Sequence, residues 1–348
     1  MTVAGPRQTP TDRFDRPVRD LRISLTDRCN FRCSYCMPAE VFGEHYEYLP
    51  RSEILTFEEI ERLTAIFYDL GVSKLRLTGG EPLLRRDLPD LVARLRRAAP
   101  RADLTLTTNG YLLERCAQEL KSAGLDRVTI SLDALDDETF KRLNGRGFAV
   151  GPVLTGVEAA QRAGLEPLKI NCVVIKGVNE HALEDLTGYF RGRGAIVRFI
   201  EYMDVGTRNH WELDHVVTAA EMAERIRDSF DLVPLPANYP GEVARRFGYA
   251  DGRGEIGFIT SVSAPFCGDC TRARLTPDGR LVTCLFASEG FDLRGLLRGG
   301  ASDDEVAETI CSIWAGRSDR YSELRSQLSP DEAIRSASER IEMYQLGG

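Results

Sequence analysis

From Leu21 onward, short apolar runs alternate with longer stretches in which apolar residues recur every three or four positions. The short runs predict strands at Leu21 to Leu25, Lys74 to Leu77, Leu104 to Thr107, Arg127 to Ser131, Lys169 to Ile175 and Ala195 to Ile200. The longer stretches predict helices at Phe57 to Leu70, Leu88 to Ala98, Leu112 to Ala123, Val150 to Ala163 and Ala182 to Arg191. Thr56 is placed to cap the first of these, and several end in Gly. Repeated strand-helix units imply parallel strands joined by right-handed crossovers. Six strands are too few to close an eight-fold barrel. The expected fold is therefore α/β, an open partial (β/α)6 barrel of TIM type over residues 18–204, with ligands approaching the carboxyl ends of its strands.

Residues 1–17 are polar and contain prolines, which predicts a disordered start. After Asp204 the rhythm breaks. A helix near Ala219 to Phe230 is followed by Pro234, Pro236 and Pro240. Short strands are then expected around Glu255 to Thr260, Arg272 to Thr276 and Arg280 to Thr283, with helices near Leu293 to Leu297 and Asp304 to Trp314. Residues 205–348 thus read as a smaller C-terminal α+β region.

Composition narrows the function classes. A chain of 348 residues with 43% hydrophobic content can bury roughly three quarters of its surface. The net charge of −8 argues against a nucleic-acid footprint and against adhesion to an anionic membrane, so any anionic ligand must be held by locally placed Arg and Lys. The N-terminal stretch has no apolar signal core and no window approaches a membrane span, from which a cytoplasmic protein is expected. Six of the nine cysteines are clustered, and in a reducing compartment clustering points to metal ligation rather than to disulfides.

Cys29, Cys33 and Cys36 follow the first predicted strand in C-x-x-x-C-x-x-C spacing. Three thiolates without a fourth suit an iron-sulfur cube with one open iron, whereas structural zinc is normally closed by four ligands. With Tyr35 just before the third cysteine, this segment resembles the radical SAM superfamily. There a [4Fe-4S] cluster on the three cysteines binds S-adenosylmethionine (SAM) and cleaves it to a 5′-deoxyadenosyl radical. Gly79-Gly80-Glu81-Pro82 reads by itself as a tight strand-to-helix turn. Beside the triplet it resembles the segment that binds the methionyl end of SAM. Tyr35, Gly80, Ser131 and Met203 match SAM-binding positions.

Cys267, Cys270 and Cys284 form a second triplet, the third thiol returned beside the pair by a predicted hairpin. Zinc with a remote fourth ligand is the competing reading. Arg272 and Arg274 follow directly, and with Arg-Leu-Thr-Gly-Gly-Glu-Pro, Thr-Thr-Asn-Gly, Arg-Phe-Ile-Glu-Tyr-Met and a terminal Gly347-Gly348 the chain resembles the GTP 3′,8-cyclase family of molybdenum cofactor biosynthesis from Leu21 to its last residue. The resemblance implies a second [4Fe-4S] cluster on Cys267, Cys270 and Cys284 that binds substrate. It implies GTP contacts at Arg22, Arg76, Thr107, Lys169, Arg272 and Arg274, with Lys74 and Arg198 as further candidates, and a Gly347-Gly348 tail entering the active site. It further implies conversion of GTP to 3′,8-cyclo-7,8-dihydro-GTP, a low-potential electron donor of flavodoxin or ferredoxin type, and a downstream cyclic pyranopterin monophosphate synthase. The chain is expected to act as a monomer or homodimer. No side chain is assigned as general acid or base. No phosphate loop of the Gly-x-x-x-x-Gly-Lys-Ser/Thr type is present, so guanidinium forks must hold the phosphates. Cys116, Cys172 and Cys311, on predicted helices and a strand, read as small hydrophobes. The alternatives are a radical SAM peptide-modifying enzyme and a nonenzymatic iron-sulfur carrier or zinc module.

Overall fold

The computed structural model describes residues 8–43, 45–209, 211–327 and 340–347. Each of the six apolar runs expected as a strand forms one: β1 Asp20–Ser24, β2 Lys74–Thr78, β3 Asp103–Thr108, β4 Arg127–Ser131, β5 Leu168–Val174 and β6 Ala195–Glu201. They lie side by side in sequence order, all parallel. Period-two alternation decides which face each residue takes. In β1, Leu21 and Ile23 are fully buried in the main hydrophobic core with Leu75, Leu77, Leu104, Leu106, Val128 and Ile130, whereas Arg22 lines an internal cavity. The helices α1 Phe57–Asp69 and α2 Leu88–Ala98 cover the apolar face with Leu63, Phe67, Leu91 and Leu95. Thr56 and Glu59 cap α1 reciprocally, as the sequence suggests.

The sheet does not stop at six strands. β7 Leu232–Leu235, β8 Ala244–Tyr249, β9 Glu255–Ile259, β10 Arg272–Leu275, β11 Arg280–Val282 and β12 Phe291–Asp292 complete a twelve-stranded sheet in the order β12-β11-β10-β1-β2-β3-β4-β5-β6-β9-β8-β7. β10 pairs parallel with β1, and β9 parallel with β6. The C-terminal region therefore extends both edges of the partial barrel to eight parallel strands, and the sheet runs unbroken across the expected boundary at residues 204 and 205. The antiparallel strands β7 and β12 end the sheet, and Pro234 is tolerated because β7 is an edge strand with one unpaired side.

Three local expectations need correction. Residues 8–17, expected to be disordered, are folded: Asp12 and Arg16 are buried, and Thr11 bridges Pro17. The helix expected over Leu112 to Ala123 is broken into a 3-10 turn, Leu113–Arg115, and a short α3, Ala117–Ser122. An unforeseen helix α4, Asp137–Asn144, precedes α5, Gly151–Arg162. Its N-cap is Asp136, which accepts from the Thr139 N–H at 2.8 Å. Among the described residues no helix is long and apolar enough to cross a membrane.

Candidate active site

The loop after β1 carries Cys29, Cys33 and Cys36, and Arg32 between them ties it down. Its guanidinium donates to the carbonyls of Cys29 (2.8 Å), Phe31 (2.7 Å) and Phe42 (2.6 Å) and to the Tyr48 hydroxyl (2.7 Å). The Cys36 and Met37 N–H groups both return to the Cys33 carbonyl, at 3.0 and 2.8 Å. Burial pushes the Cys29 thiol up to about 12, and those of Cys33 and Cys36 up as well. Thiols held so far from ionisation become thiolates only against a metal centre.

The Gly79-Gly80-Glu81-Pro82 turn packs on this loop through backbone. Gly80 donates to the Thr26 carbonyl and Glu81 to that of Arg28, both at 2.8 Å. A Cβ on Gly80 would lie 2.3 Å from the Arg28 carbonyl oxygen, and Gly79 has φ +139°, so both positions require glycine. Glu81 is a latch: it accepts from Thr108 Oγ1 (2.7 Å), the Asn109 N–H (2.8 Å) and the Leu83 N–H (2.9 Å), and burial pushes it up to about 7. Ser131 ends β4 opposite Asn171, and the Tyr35 hydroxyl donates to Asp133 at 2.7 Å. Burial pushes Asp133 up to about 6.

The second triplet lies at the other end of the same strands. Cys270 stands two residues before Arg272, which is in register with Asp20 at the start of β1, whereas Cys29 follows the end of β1. Five residues at about 3.3 Å each separate the two loops by roughly 16 Å along the strand direction. Burial disfavours the Cys270 thiolate, yet the Arg272 and Arg317 guanidiniums bring the thiol down to about 6. Arg272 Nε and Nη2 stand 3.3 and 3.2 Å from its sulfur. Cys284, closing the hairpin of β10 and β11, is pushed up to about 12 by burial and by Asp319. Among the described residues no three His, Cys, Asp or Glu side chains are placed to hold a single metal ion.

The inner face of the sheet lines a cavity of about 380 Å³, reached by Cys267, Cys270 and Cys284 at one side and by Met203 and Met343 at another; Cys29, Cys33, Cys36, Tyr35, Gly80 and Ser131 are not among its walls. It runs from the amino ends of β1 and β2 (Asp20, Arg22, Lys74, Arg76) to residues at and beyond the carboxyl ends of β6 and β9 (Ile200, Met203, Ile259, Ser261). The expected approach from the carboxyl ends alone is therefore incomplete. The parallel register builds a row of cations: Arg274, Arg22 and Arg76 are direct neighbours on β10, β1 and β2. Arg22 Nε, Arg76 Nε and Arg274 Nη1 are buried without a hydrogen-bond partner among the described residues. Burial, with repulsion from neighbouring cations, lowers several groups in this field: Arg22 well down, Arg274 to about 10, Arg198 to about 9, Lys74 to about 8 despite Asp20, and Lys169 to about 7; Arg272, against its burial, is instead raised by Cys270. Such a site is short of negative charge.

Not every expected contact faces the cavity. Thr107 does not line it, because its hydroxyl accepts from Arg76 Nη1 at 2.8 Å and so orients that arginine. Lys169 is absent from the walls too, though it belongs to the same repelling set. Gly347 is buried beside β2, where a Cβ would lie 2.0 Å from Thr78 Cγ2; Gly348 is outside the described residues. The segment before it is held by Tyr344, whose hydroxyl is 2.6 Å from that of Tyr46. Cys172 is fully buried and Cys116 and Cys311 pack partly buried on the core, as expected of small hydrophobes. Arg317, Asp319 and Tyr239 also line the cavity. No spacing in the sequence singles them out, because they reach it from loops far along the chain.

The family model for the radical SAM superfamily matches residues 23–190, and that for molybdenum cofactor synthesis C matches 195–323. Proteins named GTP 3′,8-cyclase are similar over nearly their whole length. That of Acidothermus cellulolyticus is 52% identical, covering 97% of this chain and 98% of its own. That of Xanthomonas axonopodis pv. citri is 50% identical with the same coverage, and that of Staphylococcus haemolyticus 45% identical, again with the same coverage. Among solved structures, SuiB of Streptococcus suis bound to S-adenosylmethionine is similar in fold, with TM-score 0.61 and 15% identity over 91% of this chain and 70% of that one.

Proposed function

This chain belongs to the radical SAM superfamily and, within it, to the GTP 3′,8-cyclase family that performs the first step of molybdenum cofactor biosynthesis; on that premise we propose how its residues divide the work. The enzyme uses SAM and an iron-sulfur cluster. We assign that cluster to Cys29, Cys33 and Cys36, a second [4Fe-4S] cluster to Cys267, Cys270 and Cys284, and the GTP triphosphate to the arginines between them. Both triplets fit such a group: each supplies three thiols, and at the second Arg272 and Arg317 favour the Cys270 thiolate.

The observation that carries the reading is the row of Arg274, Arg22 and Arg76, three neighbouring guanidiniums with buried, unpartnered N–H groups. A triphosphate satisfies those donors and offsets the repulsion among them. When loaded, the SAM-bound cluster supplies the one-electron chemistry that removes the C3′ hydrogen of GTP. The chain's residues perform the remaining tasks. Arg76, aimed by Thr107, Arg22 and Arg274 fix the triphosphate; Lys74, Lys169 and Arg198 add charge; Arg272 divides its contacts between substrate and the Cys270 sulfur. Gly80, Ser131, Tyr35 and Met203 hold SAM, and Gly347, packed against Thr78, brings the end of the described chain up to β2. Fixing substrate in this way brings C3′ to the reacting centre and keeps water out. A flavodoxin- or ferredoxin-type donor delivers the electron, and a cyclic pyranopterin monophosphate synthase consumes the product.

Iron stoichiometry tests the two-cluster assignment. Anaerobically reconstituted protein is expected to hold about eight irons per chain, and about four after Cys267, Cys270 and Cys284 are all changed to Ser, four being the content of one cube. About four irons in the unaltered chain would refute the second cluster.

A further inference from the structure

The folded segment 8–17 ends in a buried polar network that none of the assigned roles uses. Asp12, with its side chain fully buried, accepts at Oδ1 from the Phe14 and Arg16 N–H groups (2.9 and 3.0 Å), and at Oδ2 from Arg16 Nε (2.7 Å) and Arg317 Nη1 (3.0 Å). The carboxylate thus makes four contacts and bridges two arginines that are themselves buried. Three of their other contacts run to the cysteine loops, while Arg16 Nη2 is buried without a partner among the described residues. Arg16 Nη1 donates to the Cys267 carbonyl (2.5 Å) and that of Asp319 (3.0 Å). Arg317 Nη1 donates to the Cys270 carbonyl (2.8 Å), and its Nε to the Thr283 carbonyl (3.1 Å), one residue before Cys284. Trp314 Nε1 closes the network on the Arg16 carbonyl at 2.8 Å.

Each loop carrying a thiol of the second triplet is therefore held by backbone, at or next to its cysteine, by two arginines that Asp12 bridges; Arg317 Nε also pairs with Asp319 at 3.3 Å. Planar guanidinium forks fix direction as well as distance. Loops short of regular hydrogen bonding are otherwise free to spread, and ligands of a cluster must be held to a fraction of an ångström. We infer that Asp12, acting through Arg16 and Arg317, is a positioning residue for the Cys267, Cys270 and Cys284 thiols, so that the N-terminal segment is part of the second cluster site. The inference rests on the second-cluster assignment above.

The test uses the full-length chain, reconstituted anaerobically, with Asp12→Ala placed in two backgrounds: Cys29, Cys33 and Cys36 all changed to Ser, so that only the second cluster binds, and the converse with Cys267, Cys270 and Cys284 changed. The readouts are iron release to a ferrous chelator, the electron paramagnetic resonance spectrum of the reduced cluster, and amide hydrogen exchange of residues 266–271 and 283–287 in iron-free protein. Removing one partner of a buried hydrogen-bonded network should accelerate release from the second cluster roughly tenfold or more. It should also shift that cluster's spectrum and speed exchange in both loops, while release from the first cluster is unchanged. Unchanged release and exchange, or equal acceleration in both backgrounds, would overturn the inference. A first background that binds no iron sinks the second-cluster assignment instead, and exchange alone then decides the clamp: faster exchange in both loops upholds it, unchanged exchange ends it. If Asp12→Ala does not accumulate folded, Arg317→Lys, which keeps the charge but not the fork, is judged by the same criteria.

Discussion

Changing Arg22 to Gln separates what the cation row costs the empty enzyme from what it gives the complex. Arg22 stands between Arg274 and Arg76 on adjacent strands, which are about 4.8 Å apart. Two like charges at that spacing repel by roughly 3–4 kcal/mol at an effective dielectric of 20. Asp20 offsets part of this, and burial adds to it. Long side chains also splay apart, so about 1 kcal/mol of net destabilisation in the free protein is a conservative figure. Arg22→Gln should therefore leave the ligand-free protein equally or slightly more stable, with a melting temperature up by a few degrees at most. With GTP bound, the same change removes a charge-assisted hydrogen bond worth about 1.5–3 kcal/mol, a weakening of roughly 10- to 150-fold. Calorimetric titration with GTP and a thermal melt without it measure both halves. SAM cleavage in the absence of GTP should be unaffected. A variant that binds GTP as tightly as the parent, or that melts well below it without ligand, would refute the reasoning.

The lowered lysines set a pH signature. Free Lys169 and Lys74 titrate at about 7 and about 8, and a bound triphosphate raises both. GTP binding should therefore take up protons, being tightest below about pH 7 and weakening as pH rises through 7 to 9; titrations in buffers of different ionisation enthalpy read this, and Lys169→Met should flatten it. Folding of the ligand-free chain responds in the opposite direction: a base held below its unfolded value favours the neutral native form as pH rises, so the fold gains stability between about pH 7 and 10 from these two groups. Gly80→Ala meets the Arg28 carbonyl at 2.3 Å and should strip iron from the first triplet while sparing the second, as iron counts in the two serine-substituted backgrounds would show. Gly347→Ala, with φ +70° and a clash with Thr78, should release the tail and make it susceptible to protease at unchanged iron content.

The alternation of apolar runs was enough to read the six central strands because each buries one face under helices, and that constraint acts residue by residue. The strands β9 and β10, though found near their expected positions, gave no hint of their partners. Pairing with β6 and β1 is a long-range choice that local pattern does not encode. The cysteines were legible through spacing within a few residues. Their supports were not: Arg32 works through backbone carbonyls, and Asp12 and Arg317 meet across 305 positions of chain. Residues 8–17 looked disordered because their composition is polar, yet polar groups there are used as buried partners rather than left in water. Thr107 accepts from Arg76, a matter of side-chain direction that sequence does not carry.

The central claim is that this chain cyclises GTP in the arginine-lined cavity beside its second cysteine loop. The most direct measurement is anaerobic incubation of the reconstituted protein with SAM, dithionite and GTP deuterated at C3′, followed by mass spectrometry. The account predicts 5′-deoxyadenosine that carries deuterium, together with a product isobaric with unlabelled GTP, the labelled substrate having lost its deuterium atom and gained one electron and one solvent proton. Deoxyadenosine free of deuterium, with GTP recovered intact, would contradict it.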